Sequence, residues 1–375
     1  MTFPLSGIKI LSVEQYGAGP YGTMLLADLG AEVIKIEAPS LGGDVSRAVG
    51  PYMLGQGDSQ FFQTFSRGKK SLALEIKTPE GRAQFEAMVG QADAVANNLR
   101  GDQPAKMKIT YDDLKAINPK IVCAHLSAYG RDNDRAAWPG YDYLMQAEAG
   151  LMSMTGEPDG PPARCGLSVI DFHTGSHMAI GLLAGIMGAM RTGVGCDIDV
   201  ALFDTALHQM SYPATWYLNE GVEVGRLPRG AHPSIAPSQL IKTGDGWLML
   251  MCQTPKFWDV FCQKIERQDL LTDPHFATVS ARHENLALLT QVLDAQLMTQ
   301  KTQHWIDVLG GHVPVAPIND IGQALDSAHV RVIGMTDYVD HPDAKGGKLA
   351  MLASPIKVNG HRAVGKRAPK LGENI

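Results

Sequence analysis

The chain is poor in cysteine, and the five it has (Cys123, Cys165, Cys196, Cys252 and Cys262) lie far apart without a C-x-x-C pair or a His/Cys cluster. A disulfide framework and a zinc site are therefore not expected, and no metal ligand set is assigned. It has no basic run, and a formal charge of -6 argues against nucleic acid as a main partner. No apolar run reaches the roughly 20 residues a membrane span needs; the longest, residues 178–190, is broken by glycines. The start, Met1-Thr2-Phe3-Pro4-Leu5, lacks a positive segment leading into a long apolar core, so no signal peptide is read. These absences leave a soluble, cytoplasmic protein with no membrane partner as the expectation.

What is present is a large apolar fraction. With 45% hydrophobic residues in 375, the chain can bury one large core or two moderate ones. Strand patterns at residues 8–13, 33–37, 72–76, 93–96 and 121–126 alternate with helical ones, which predicts an α/β fold around a mainly parallel sheet. In such sheets ligands bind beyond the carboxyl ends of the strands, so the tips Lys77, Asn98, Arg100 and Tyr129 fall where a ligand would sit. The first βα turn reads Gly17-x-Gly19-x-x-Gly22, and Glu37 follows about 20 residues later, which matches the dinucleotide fingerprint in outline. Pro20 weakens that match, because it removes one N–H from the helix start that would receive a pyrophosphate. The plainer reading is that these glycines only allow a tight turn.

The stretch Gly166-x-Ser168-x-x-Asp171-x-x-Thr174-Gly175, followed by Gly181-Leu182-Leu183-Ala184, places one acid at the head of an uncharged, glycine-dotted helix. An aspartate there is an ordinary N-cap. The helix behind it is apolar on all sides and is expected to be buried. That would put Asp171 on the floor of a protein interior, where a carboxylate can serve as nucleophile or base.

This segment resembles the active-site segment of the family III coenzyme A transferases, a family that includes formyl-CoA transferase and the carnitine CoA-transferases and shares its fold with α-methylacyl-CoA racemase. Further motifs are similar in order along the chain: Ala18-Gly19-Pro20, Leu25 to Ala31, Val33 to Glu37, Pro139-Gly140-Tyr141-Asp142, and Ala368-Pro369-Lys370-Leu371-Gly372-Glu373. The resemblance implies a Rossmann-like large domain over residues 1–225, a smaller α+β domain over 230–324, a return to the large domain over 325–375, and an interlocked homodimer. It implies no tightly bound cofactor, with coenzyme A or acyl-CoA as substrate and a carboxylic acid as partner in the exchange. Asp171 matches the catalytic aspartate, which would carry acyl and then CoA groups covalently. Leu74, Lys77, Asn98, Leu99 and Lys106 match positions that hold CoA, and Ala18, Arg100 and Tyr129 are assigned with them.

Departures from the family pattern point to a different grip on the substrates. Asn97-Asn98-Leu99 stands where the family usually has Glu-Asn-Phe, Ala38 where the formyl-transferring branch has arginine, and Gly17 where that branch has glutamine. Tyr141, taken as substrate-binding, stands where the racemase branch has its second acid/base, a histidine. An unperturbed tyrosine near pH 10 is a poor substitute for it. His125, His173 and His177 are read as packed or surface residues, Lys69, Lys70 and Lys77 as solvated loop charges unless they meet phosphate, and Arg164 as a surface arginine that could greet an acceptor carboxylate. The alternatives to CoA transfer are an acyl-CoA racemase or epimerase, a NAD-dependent dehydrogenase resting on Gly17, Gly19 and Gly22, and a CoA-binding protein without catalysis.

Overall fold

A computed structural model describes residues 3–374. The chain divides into two compact units, the first gathering Met1–Ala149, Gly166–Met210 and Ala328–Ile375, the second Gly150–Cys165 and Ser211–Ser327. Residues 230–324, expected as the small domain, all fall within the second unit.

The first unit is built on alternating strands and helices. They run β1 (Lys9–Val13), α1 (Ala18–Asp28), β2 (Glu32–Glu37), α2 (Gln60–Ser66), β3 (Lys70–Ala73), α3 (Pro79–Val89), β4 (Ala94–Asn97), two short helices α4 (Gln103–Lys106) and α5 (Tyr111–Leu114), β5 (Val122–Ser127), α6 (Asp142–Glu148), α7 (Val169–Thr192), β6 (Cys196–Ala201) and α8 (Leu202–Gln209). The six strands form one sheet in the order β3-β2-β1-β4-β5-β6, every neighbouring pair parallel. The chain reverses direction across the sheet between β1 and β4, so the tips of those two strands open a crevice.

The near-continuous apolar runs of the strands fit a sheet covered on both faces. On one face Leu11, Ile34, Leu72, Val95 and Cys123 pack with Phe85, Val89, Ile109 and Leu114. Burying a side chain such as Phe85, which has no exposed surface, contributes about 1.5–3 kcal/mol. The other face carries α1 and α7, which meet backbone to backbone. A Cβ added at Gly22 would stand 2.3 Å from the Gly175 carbonyl oxygen, and one at Gly175 would stand 2.4 Å from that of Ala18. Gly22 is thus required for helix packing.

Two expectations need correction. The third strand was expected over residues 72–76 but ends at Ala73, with Leu74 continuing the edge through one bond to the Glu37 carbonyl (2.9 Å). Helix α7 is not buried all round: Ile170, Thr174, Met178, Leu182 and Ile186 face the core, while Ile180, Met187 and Met190 are 63%, 62% and 68% exposed. Its apolar residues run round the whole helix, so composition could not tell the covered face from the open one. Among the described residues no helix is long and apolar enough to cross a membrane.

The C-terminal segment closes the first unit. The Ala368 N–H donates to Gln63 (2.8 Å), the Gly372 N–H donates to Ser71 (3.0 Å), and Arg47 donates to the Pro369 carbonyl (3.1 Å). In the second unit, an antiparallel sheet of β7 (Ser238–Lys242), β8 (Trp247–Met251) and β9 (Val315–Pro317) packs with helices around Trp258, Phe261, Leu289, Leu293 and Trp305.

Candidate active site

At the crevice between β1 and β4 lies a cavity of about 330 Å³, lined by the Gln15–Ala18 turn, Asn98, Leu99 and Arg100 beyond β4, Leu126 to Ala128 at the end of β5, Trp138 to Tyr141, Leu202, and Asp171. Of the residues assigned from the sequence, Ala18, Asn98, Leu99, Arg100, Tyr141 and Asp171 are therefore gathered around one space.

Helix α7 begins at Val169 with Ser168 as its N-cap residue, so Asp171 is its third residue and not its cap. The Ser168 side chain makes no capping bond. The cap comes instead from Asp142 at the head of α6, whose Oδ2 accepts the N–H groups of Ile170 (2.6 Å) and Asp171 (3.0 Å). Among the described residues, no hydrogen bond or ion pair reaches the half-buried Asp171 carboxylate. Burial, with the Asp142 charge second, pushes its carboxyl up to about 7. A Cβ at Gly17 would come within 3.4 Å of Asp171 Oδ2, so the glycine leaves that oxygen open to the cavity.

The wall opposite Asp171 is held from behind by polar groups. The Asn98 side chain donates to the Gln15 carbonyl (2.7 Å) and accepts its N–H (2.8 Å), and a Cβ at Gly19 would lie 2.9 Å from Asn98. Below the turn, the Glu14 carboxylate accepts from Lys69 (2.7 Å) and Thr23 (2.8 Å), while Lys35 bonds the Glu14 carbonyl (2.8 Å) and pairs with Asp44 (2.8 Å). Asp44 in turn accepts the Tyr16 N–H (3.2 Å). Lys69 is thus buried and not a solvated loop charge, and its burial lowers its ammonium to about 8. Lys70 stays exposed, paired with Glu32 at 2.5 Å.

The dinucleotide reading loses its parts to these contacts. Gly19 and Gly22 face Asn98 and Gly175. Glu37, the acid a ribose would need, is buried and taken by Arg47 (2.7 and 2.8 Å) and Ser71 (2.6 Å).

A second cleft, of about 180 Å³, continues from the first through their shared residues Gln15 and Leu99, and it includes Leu74, Lys77, Gln103 and Met107. A third shares Lys77, Gln103 and Met107 and adds Arg82, Lys106 and Lys108. The assigned residues Leu74, Lys77, Leu99 and Lys106 therefore follow one continuous track leading away from Asp171. Lys106 and Arg100 rest on Asp102 (2.6 and 3.4 Å) and are half or more exposed, so both can turn to an anion. Arg82 is held by Glu86 and by the carbonyls of Met107 and Lys108.

Tyr129 is the assigned residue that stands apart. Its ring packs between Trp138 and Phe203, its hydroxyl donates to Glu148 (2.8 Å), and it lines none of the three clefts. His125 is buried between Asn97 and Asp197, and His177 lies near Thr205. Arg164 donates to the Cys165 carbonyl (2.9 Å). Asp142 and Trp138 escaped the sequence assignment. Asp142 acts across 28 residues of chain, and only the Gly140-Tyr141-Asp142 motif beside it pointed to the region. Among the described residues no group of three or more His, Cys, Asp or Glu side chains could share a metal.

Residues 5–375 match the sequence profile of CoA-transferase family III. The chain is 32% identical to a succinate–glutarate CoA-transferase of Agrobacterium fabrum, covering 99% of this chain and 94% of that one. It is 33% identical to an acetyl-CoA:oxalate CoA-transferase of Acetobacter aceti over 99% of this chain and 93% of the relative. Among solved structures, a CaiB/BaiF family protein from Brucella suis superposes with a TM-score of 0.84 at 32% identity, covering 100% of this chain and 97% of that one.

Proposed function

The chain belongs to CoA-transferase family III, and from that membership we propose that it moves CoA from an acyl-CoA to a free carboxylate through a covalent intermediate on Asp171. The observation that carries this reading is the Asp171 carboxylate itself: partly buried, unpartnered among the described residues, and open to a cavity at the strand tips.

In the first step an Asp171 oxygen adds to the thioester carbonyl carbon, the C–S bond breaks and CoA leaves as thiolate, giving an acyl-aspartyl anhydride. The thiolate then attacks the aspartyl carbonyl carbon, the donor carboxylate leaves, and the enzyme holds an aspartyl–CoA thioester. The acceptor carboxylate repeats the two exchanges in reverse, so no net proton or electron is gained or lost. A positioned carboxylate divides one hard exchange into easier ones. The backbone N–H groups of Ala18 and Gly19, the first two residues of α1, lack intrahelical partners by geometry, and Ala18 lines the same cavity, so these two are our proposed oxyanion donors; Pro20 has no N–H to offer.

We propose that CoA lies along the cleft track, with Leu74 and Leu99 against its apolar parts and Lys77, Arg100 and Lys106 toward its phosphates; that these residues line the three clefts supports it. Tyr141 and Trp138 border the acyl end. The relatives' names contain succinate, glutarate and oxalate, and a dicarboxylic acid is our proposed acceptor class. A homodimer is proposed as the working form; the open apolar face of α7 at Ile180, Met187 and Met190 supports it. The raised proton affinity of Asp171 also suits α-proton transfer, which makes racemisation the second reading.

Intact mass after incubation with a panel of acyl-CoAs tests this. A hydroxylamine-labile acyl or CoA adduct on the wild type, absent from Asp171→Ala, is expected. No adduct with any donor, together with deuterium entering the α position of an acyl-CoA, would replace transfer by racemisation.

A further inference from the structure

We propose that Asp142 is the positioning residue for Asp171: its carboxylate caps helix α7 from outside the chain's local order, so that the Asp171 carboxylate is left facing the cavity beside a like charge. The inference rests on the reading of Asp171 as the nucleophile.

An acid at the third position of a helix stands among free N–H groups and can be drawn back onto them, as in a capping box. Bound in that way, a carboxylate is stabilised as the anion and loses basicity. Here the donors are already taken. Asp142 Oδ2 accepts the N–H groups of Ile170 and Asp171 at 2.6 and 3.0 Å, and Ser168 contributes no side-chain cap. Asp142 is itself fixed, since only 3% of it is exposed and its Oδ1 accepts from Gln146 Nε2 at 2.5 Å. One side chain therefore does two separable things: it satisfies the start of the helix, and it sets a negative charge near the reacting carboxylate.

The other titratable or charged groups facing Asp171 are Tyr16 in the first βα turn, Arg100 beyond β4 and Tyr141 before α6, all on the cavity wall, with His173 following on α7 and Tyr21 of α1 packed on Phe172. Among the charges, Asp142 is the one that raises Asp171. Arg100 is drawn aside to Asp102 at 3.4 Å.

The substitution Asp142→Asn separates the two roles. Asparagine keeps the acceptor oxygen for the two N–H groups and loses the charge; Gln146 would turn its amide to meet the new NH₂ at the expense of its long bond to the Leu167 carbonyl (3.4 Å). Carbon-13 NMR of protein labelled at the aspartate γ-carbon reads Asp171 directly, its resonance assigned by its loss in Asp171→Ala. In wild type it is expected to titrate near 7. In Asp142→Asn the midpoint should fall by about 1 pH unit, the usual scale for one nearby charge. Adduct formation with an acyl-CoA should show its acid limb displaced the same way. Its plateau should fall roughly three- to tenfold as the anion becomes less basic, with KM for the acyl-CoA within about twofold.

Asp142→Ala, which removes cap and charge together, should lose more rate than the asparagine variant. An unchanged Asp171 titration in a folded Asp142→Asn overturns the proposal and leaves Asp142 a helix cap. Absence of any adduct on the wild type instead sinks the nucleophile reading, while the NMR titration still decides the effect of Asp142 on Asp171.

Discussion

At the scale of single residues, Asp171 shows how the proposed nucleophile burdens the fold that carries it. Its carboxyl is raised from 3.8 to about 7, so the folded protein holds that proton more tightly than the unfolded chain does. Stability is then undiminished below about pH 4, falls as pH rises toward 7, and stays reduced above it. Asp171→Asn removes the penalty: the variant should be more stable than wild type by about 1–3 kcal/mol at pH 8, after allowance for partial exposure, and no more stable at pH 4. Denaturant melts at the two pH values measure it, and an equal difference at both would refute it. Asp171 could be picked out in the sequence because one acid breaks a long uncharged stretch. Its state could not, since that depends first on burial set by the whole fold and second on Asp142, 28–29 positions away from the N–H groups it caps. Lys69 was missed for the same reason: a lysine at a strand start gives no hint that Glu14, 55 residues away, waits to pair with it.

At the scale of elements, the alternation of strands and helices marked out β1, β2, β4 and β5 because their hydrophobic periods are local. Helix packing was less visible. The sequence presents α7 as uniformly apolar, yet its glycines do different work. Gly175 meets the backbone of α1, whereas Gly188 would place a Cβ in open space. We expect Gly22→Ala or Gly175→Ala to cost about 1–3 kcal/mol or more through overpacking, with loss of activity as Ala18 and Asp171 are pushed apart. Gly188→Ala should stabilise by about 0.5–1 kcal/mol through helix propensity. Urea denaturation of the three variants checks the pattern; equal effects at Gly175 and Gly188 would contradict it. The glycine fingerprint in the first βα turn misleads for the same reason, since spacing records that a close approach exists and not what approaches.

At the scale of the whole molecule, the proposed homodimer makes a simple demand. Light scattering should return twice the 40.4 kDa chain mass, and Met187→Glu, which sets a charge on the open apolar face of α7, should shift the population toward monomer. A wild-type mass of one chain would remove the proposal. The sequence alone showed an apolar helix here and gave no means of separating a face buried at home from one awaiting a partner.

The first unit is sewn from three separated stretches, the last being Ala328–Ile375. On the ribosome this means that the strands and the clefts along their tips emerge early, while the segment that ties down Gln63, Arg47 and Ser71 emerges late. A nascent chain waits through the synthesis of the entire second unit with its seam open. A chain stopped before Ala328 would therefore carry Asp171 and the cleft residues without the bonds that tie Gln63, Arg47 and Ser71 to the C-terminal stretch.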